Sequence, residues 1–162
     1  MSESFRVRLV KECHVFSAAH FITFHGNICE RLHGHNYGVA VEVAGPLDQN
    51  QYVVDFIALR DELRKLTDEL DHHMLLPTLH PSIRVAAGET EVEVRFEERR
   101  WVFPRGDCVL LPIEQTTAEL LAKYLGERLF DVLASRWNFR AERIRVEVDE
   151  NHGQWGIWER SS

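Results

Sequence analysis

A chain of 162 residues with 44% hydrophobic and 28% charged residues has the make-up of one globular domain, residues 1–162, large enough to bury a core without cross-links. The formal charge of −7 argues against a general nucleic-acid binder, since affinity for phosphate backbones comes from clustered Lys and Arg. No apolar run approaches the roughly 20 residues of a membrane helix, and "MSESFRVRLVKECHVF" lacks the unbroken apolar centre of a secretory signal, so a cytoplasmic protein is expected.

In chain order, residues 5–20 are apolar-rich and partly alternating, and read as a strand. "FITFHGNICERL" (21–32) reads as a loop. From His33 the pattern alternates, with His33, His35, Tyr37, Val39, Val41 and Val43 on one strand face. "GPLDQN" makes a turn, "QYVV" a short extended piece, and Asp55 an N-cap. A helix over about 56–70 carries Phe56, Leu59, Leu63, Leu66 and Leu70 at helical spacing, and "DHHMLLP" closes it. Residues 83–111 form an extra strand pair, "EVEVRF" and "WVF" around "EERR", followed by "CVLL". "QTTAELLAKYLGERLFDVLASRW" is a second helix, opened by Thr116 and Glu119 in capping-box spacing. "RIRVEVDE" is a last strand before the Trp-rich tail "HGQWGIWE". This order predicts an α+β domain with an antiparallel sheet.

The chemistry concentrates in "CERLHGHNY" (29–37). His33 and His35, two apart on a strand, project from one face, and Gly34 between them allows another chain to approach closely. His20, at the end of the preceding strand, is placed to complete a three-imidazole metal set, the number that leaves a catalytic zinc one open position. Cys29 is open to three readings: a fourth metal ligand, a nucleophile or base beside the metal, or an inert loop thiol. Cys13 and Cys108 stand in apolar strand contexts and are expected in the core. Three scattered cysteines make no disulfide framework.

Asp71 beside His72 and His73 offers a carboxylate that can orient a ring and hold its proton, or simply a polar helix end. Glu150, between Asp149 and Asn151, can receive a guanidine-like ligand edge or stand in solvent. Thr116 and Thr117 are capping residues, at a helix start where amides can also bind ligand oxygens.

Together "FSAAH", "CERLHGHNY", "VVDF", "LDHHML", "TTAELLAKYL" and "VDE", in this order over residues 16–150, resemble the 6-pyruvoyl-tetrahydropterin synthase family, including the 6-carboxy-tetrahydropterin synthases of queuosine biosynthesis. The resemblance implies the T-fold, an antiparallel sheet of about four strands with two helices on one face. It implies zinc held by His20, His33 and His35, Cys29 as general base, Asp71 and His72 as a proton relay, and Glu150 with Thr117 as the pterin anchor. The implied substrate is 7,8-dihydroneopterin triphosphate, which loses triphosphate and, in the carboxy-type reaction, a two-carbon fragment. The implied assembly is a homo-hexamer, a dimer of trimers with active sites between subunits. The short Cys29–His33 spacing resembles the carboxy-type members. Glu30 resembles a glutamate that some members use to cleave the side chain to 6-hydroxymethyl-dihydropterin for folate; the other reading of it is a solvated loop carboxylate. A zinc-stabilised pterin-binding protein without turnover is the reading from another class. The extra strand pair and the Trp-rich tail depart from the compact members.

Overall fold

The computed structural model describes residues 3–162. Strand β1 (Phe5–His20) pairs antiparallel with a strand over His33–Gly45. Their register runs from Phe5↔Gly45 to Val10↔Ala40, breaks at a bulge, and resumes from Val15↔Gly38 to His20↔His33. The bulge corrects one expectation. Residues 11–14 leave the ladder there, so Cys13 turns out to solvent while His14 turns in. Cys108 is buried as expected.

The 21–32 segment is not featureless; it folds a small hairpin of β2 (Thr23–Phe24) and β3 (Ile28–Cys29), which delivers the chain to β4 (His33–Gly45). Helix α1 (Phe56–Asp68) begins where the Asp55 carboxylate accepts from the amides of Ile57 and Ala58. "DHHMLLP" does not merely close that helix. After a turn it becomes β5 (His73–Pro77), because Met74, Leu75 and Leu76 find burial in the sheet.

The 83–111 region is richer than one strand pair. β6 (Arg84–Ala87), β7 (Glu91–Phe96) and β8 (Arg99–Pro104) form a separate three-stranded antiparallel sheet, and β9 (Cys108–Leu111) joins the main one. Helix α2 (Ala118–Arg136) is capped by Thr117, whose hydroxyl accepts from the Leu120 amide; Thr116 is instead buried outside the helix. β10 (Arg143–Asp149) pairs with β4 and with β11 (Trp155–Ser161), so the Trp-rich tail is an edge strand.

The main sheet runs β11-β10-β4-β1-β5-β9. Its four long strands are antiparallel, as expected, and the short β5 and β9 extend it in parallel. Parallel neighbours need a crossover connection, commonly a helix. Here the small sheet β6–β8 fills that role, packing Ile83, Val92, Val94 and Phe96 against Phe21 and against Met74 of β5 in a second core. Both helices pack on one face of the main sheet, where Leu59 and Leu63 of α1 and Leu121 and Leu125 of α2 meet Phe16, Val39, Val41 and Val146. Gly156 decides how closely α2 approaches β11: a Cβ there would lie 2.4 Å from the Ala118 carbonyl carbon.

Candidate metal centre and active site

The renewed β1–β4 register puts His20 directly opposite His33, and strand alternation puts His35 on the same face two residues on. One nitrogen from each ring lies within 4.8 Å of the others. Gly34 permits this closeness, since a Cβ would sit 3.0 Å from the Ala18 carbonyl oxygen. Tyr37 floors the cluster, its ring edge-on to His20 at 5.7 Å and tilted against His35 at 5.5 Å, and backed by Phe16 stacked at 4.8 Å.

The hydrogen bonds choose which nitrogens face inward. His20 Nδ1 donates to the Thr116 carbonyl at 2.9 Å, and His33 Nδ1 to the Arg31 carbonyl at 2.8 Å. That leaves both Nε2 lone pairs free, the arrangement by which a backbone carbonyl fixes the tautomer of a metal-binding histidine. His20 Nε2 is buried and, among the described residues, has no hydrogen-bond partner. Burial is the main force holding the His20 imidazole at about 4; the Thr116 bond opposes it, and His33 and His35 reinforce it. His20 is therefore neutral at ordinary pH, the form that binds cations. An orphaned, uncharged donor beside two more imidazoles fits a metal ion.

Glu150 follows β10 and brings Oε1 within 3.6 Å of His20 Nε2 and 4.0 Å of His35 Nε2. Its amide bonds the Gln154 carbonyl at 3.1 Å, and Asp149 accepts from the amides of Gly153 and Gln154, so the turn into β11 is tied. Beside it opens a cavity of about 400 Å³, lined by Ile22, Thr117, Ala118, Glu119, Glu150, Gln154, Trp155 and Gly156. The Glu150 carboxylate stands there among mixed walls, with Ile22, Ala118 and Trp155 as the apolar part, at the start of a helix, which suits a flat heterocycle with ring N–H donors.

Cys29 closes the β2–β3 hairpin, half-buried against Phe21 and its neighbours, and is outside the three-histidine cluster. Burial pushes its thiol up; Arg99 pulls it down, while Glu30 and Glu97 add to the rise. Glu30 reaches His33 Nδ1 at 3.8 Å. Asp71 and His72 form the expected pair, Nδ1 to Oδ2 at 2.7 Å, with Asp71 Oδ1 accepting from the Ser17 amide at 2.7 Å. The Ser17 bond is the chief cause holding the Asp71 carboxyl below its usual range, aided by His72. The His72 side chain is 82% exposed and borders a different cleft, with Leu32, Met74, Phe103 and Asp107. Among the described residues, no hydrogen bond or ion pair joins this pair to the histidine cluster.

His20, His33, His35, Glu150 and Glu30 are thus brought together, Thr117 and Cys29 are adjacent in the fold, and Asp71–His72 stands apart. Sequence reasoning missed Thr116 as the brace of His20, for which the doubled threonine is at most an ambiguous cap signal. It missed Gln154 and Trp155 as cavity walls, and Arg99, which no motif marks.

A family model described as 6-pyruvoyl tetrahydropterin synthase matches residues 8–161. A Rickettsia felis protein named 6-carboxy-5,6,7,8-tetrahydropterin synthase is 38% identical over 137 residues, covering 84% of this chain and 90% of the relative. A Methanocaldococcus jannaschii relative named for the same activity is 32% identical over 140 residues, covering 86% and 85%. Among solved structures, a Plasmodium vivax 6-pyruvoyltetrahydropterin synthase with a catalytic glutamate replaced by alanine superposes with TM-score 0.91 at 26% identity, covering 99% of this chain and 100% of that one. The Plasmodium falciparum protein follows at TM-score 0.89 and 29% identity, covering 99% and 100%.

Proposed function

The chain belongs to the 6-pyruvoyl tetrahydropterin synthase family of pterin-forming lyases, and from that premise we propose that it is a zinc-dependent lyase converting 7,8-dihydroneopterin triphosphate to 6-carboxy-tetrahydropterin. The observation that carries the reading is the three-imidazole cluster with its orphaned His20 Nε2, opening beside Glu150 and the adjoining cavity. When bound, zinc supplies Lewis-acid polarisation of side-chain oxygens and acidifies the protons beside them. The chain's own groups do the rest. Glu150 accepts the pterin amino and ring N–H donors, and Thr117 sets the helix start that borders them. Cys29 takes the proton as base. Asp71 holds the His72 ring so that it can return one on the opposite side of the substrate. Since that pair does not reach the cluster within one chain, it serves the site of a neighbouring subunit, in a hexamer built as a dimer of trimers.

The test is incubation of the metal-loaded protein with 7,8-dihydroneopterin triphosphate, with products resolved by mass spectrometry. Triphosphate, acetaldehyde and 6-carboxy-tetrahydropterin are expected. Absence of both triphosphate release and side-chain loss would falsify the reading.

One observation favours a second product. Glu30 stands 3.8 Å from His33, and the Plasmodium vivax neighbour works through a catalytic glutamate. Glu30 as base would cleave the side chain to 6-hydroxymethyl-dihydropterin. Glu30→Ala separates the two: loss of that product alone supports the second activity, and an unchanged product mixture removes it. A purely structural zinc with Cys29 as fourth ligand is disfavoured, because Cys29 is outside the cluster.

A further inference from the structure

The crossover sheet touches the 21–30 segment through β8 and the turn before it. Glu97 in that turn, and Arg99 and Trp101 two apart on β8, each hold a different part of the segment. Glu97 Oε1 accepts from Asn27 Nδ2 at 3.1 Å. Arg99 Nη1 donates to the carbonyls of both Cys29 and Glu30, at 2.8 and 2.9 Å. Trp101 stacks on Phe21, next to His20, with centroids 4.7 Å apart and planes at 20°. The Arg99 guanidinium lies over the Trp101 ring, 4.6 Å from its centroid, so its reach is fixed from behind. Two successive carbonyls turned onto one nitrogen define the peptide between them. With the Glu30 amide donating to the Ile22 carbonyl at 2.9 Å, the C=O and the N–H of the Cys29–Glu30 peptide are both held.

We propose that Arg99 is a positioning residue for the reaction, acting through the Cys29–Glu30 peptide to aim the thiol and the carboxylate beside the histidine cluster. The role rests on the reading that these two side chains act on the pterin. Among the described residues, no hydrogen bond or ion pair joins Arg99 to the histidine cluster, and Arg99 does not line the cavity beside Glu150; its guanidinium meets the loop carbonyls and Trp101. Losing it should therefore leave metal and pterin in place and misalign only the reacting groups.

Arg99→Met keeps the unbranched stem on Trp101 and removes both donors, while Arg99→Ala opens a space that added guanidinium can enter. The expected result for Arg99→Met is a fall in kcat of about 10²-fold, the scale of a small misplacement of a catalytic group, with KM and bound metal unchanged. Guanidinium at low millimolar concentration should restore part of the activity of Arg99→Ala. Amide hydrogen exchange in the wild-type and variant metal-loaded proteins gives a readout independent of turnover. Exchange over Cys29–Arg31 should quicken about tenfold in both variants, without change in β1 and β4. Wild-type kcat in Arg99→Met, loss of metal, a change confined to KM, or unchanged exchange in the loop overturns the proposal. If the wild-type protein forms no pterin product, the functional reading falls by itself, and loop exchange still decides whether Arg99 holds the loop.

Discussion

His20 donates through Nδ1 to the carbonyl oxygen of Thr116 at 2.9 Å, across 96 residues of sequence. That bond joins the end of β1 to the residue before the α2 cap, and it leaves Nε2 free to hold a metal ion. His20→Ala should abolish retention of a stoichiometric metal ion through gel filtration. Thr116→Val keeps the carbonyl and loses only the hydroxyl, 3.2 Å from His20 Nδ1. Its metal affinity should fall by about tenfold, the lower end for groups that orient a ligand. Metal analysis by mass spectrometry and chelator competition measure both; metal retained in His20→Ala would remove His20 from the set.

Cys29→Ala should keep the metal and the fold and lose turnover by about 10²–10⁴-fold, the span of general acid–base catalysis. Steady-state rates together with metal stoichiometry check it. Loss of metal in this variant would instead make the cysteine a ligand.

His72 and His33 should complement one another between chains. In the proposed hexamer, His72→Ala alone or His33→Ala alone is expected to be nearly inactive. Co-expressed mixtures should regain activity, because some interfaces then combine an intact relay with an intact cluster. No recovery, with mixed assemblies confirmed by native mass spectrometry, would mean that relay and cluster act within one chain.

His80 gives the fold an acid limit separate from the histidine cluster. Its Nδ1 accepts from the amides of Ser82 and Ile83 at 2.9 and 2.8 Å, and Nε2–H donates to the Thr23 hydroxyl at 2.9 Å. Burial lowers this imidazole below its ordinary 6.5, with Glu114 opposing. The unfolded chain therefore takes up the proton first, so stability is lost as pH falls from 6.5 through the lower folded value. His80→Asn retains an acceptor for the two amides and does not titrate. Melting temperature followed against pH should be flatter in that variant over this window; identical slopes would exclude His80 as the source.

The strand carrying His33 and His35 was readable because alternation over six residues is a strong signal, and the structure keeps all six on one face. The first helix was readable through Asp55, whose cap is seen as expected. Short strands were not. β5 has five residues and β9 four, and an apolar run of that length takes its conformation from its neighbours in the sheet. Cys13 was misplaced because a bulge shifts the strand's inward face, and nothing in "LVKECHVF" announces one. At the site, ligand types and spacings carried His20, His33 and His35. Arg99 acts through backbone carbonyls, which leave no residue pattern to find.

The crossover between β5 and β9 also bears on how such a chain can diversify. Register between those strands is fixed by their own pairing, Met74↔Cys108 to Pro77↔Leu111, whatever connects them. Lengthening a connection is cheap, about 0.6 kcal/mol for each doubling, and this one packs its apolar residues on Phe21, Met74 and Leu76 of the main body. Exchanged between relatives together with those contact residues, it would carry Arg99 and its contacts with the Cys29–Glu30 peptide, while His20, His33 and His35 stay with the main sheet.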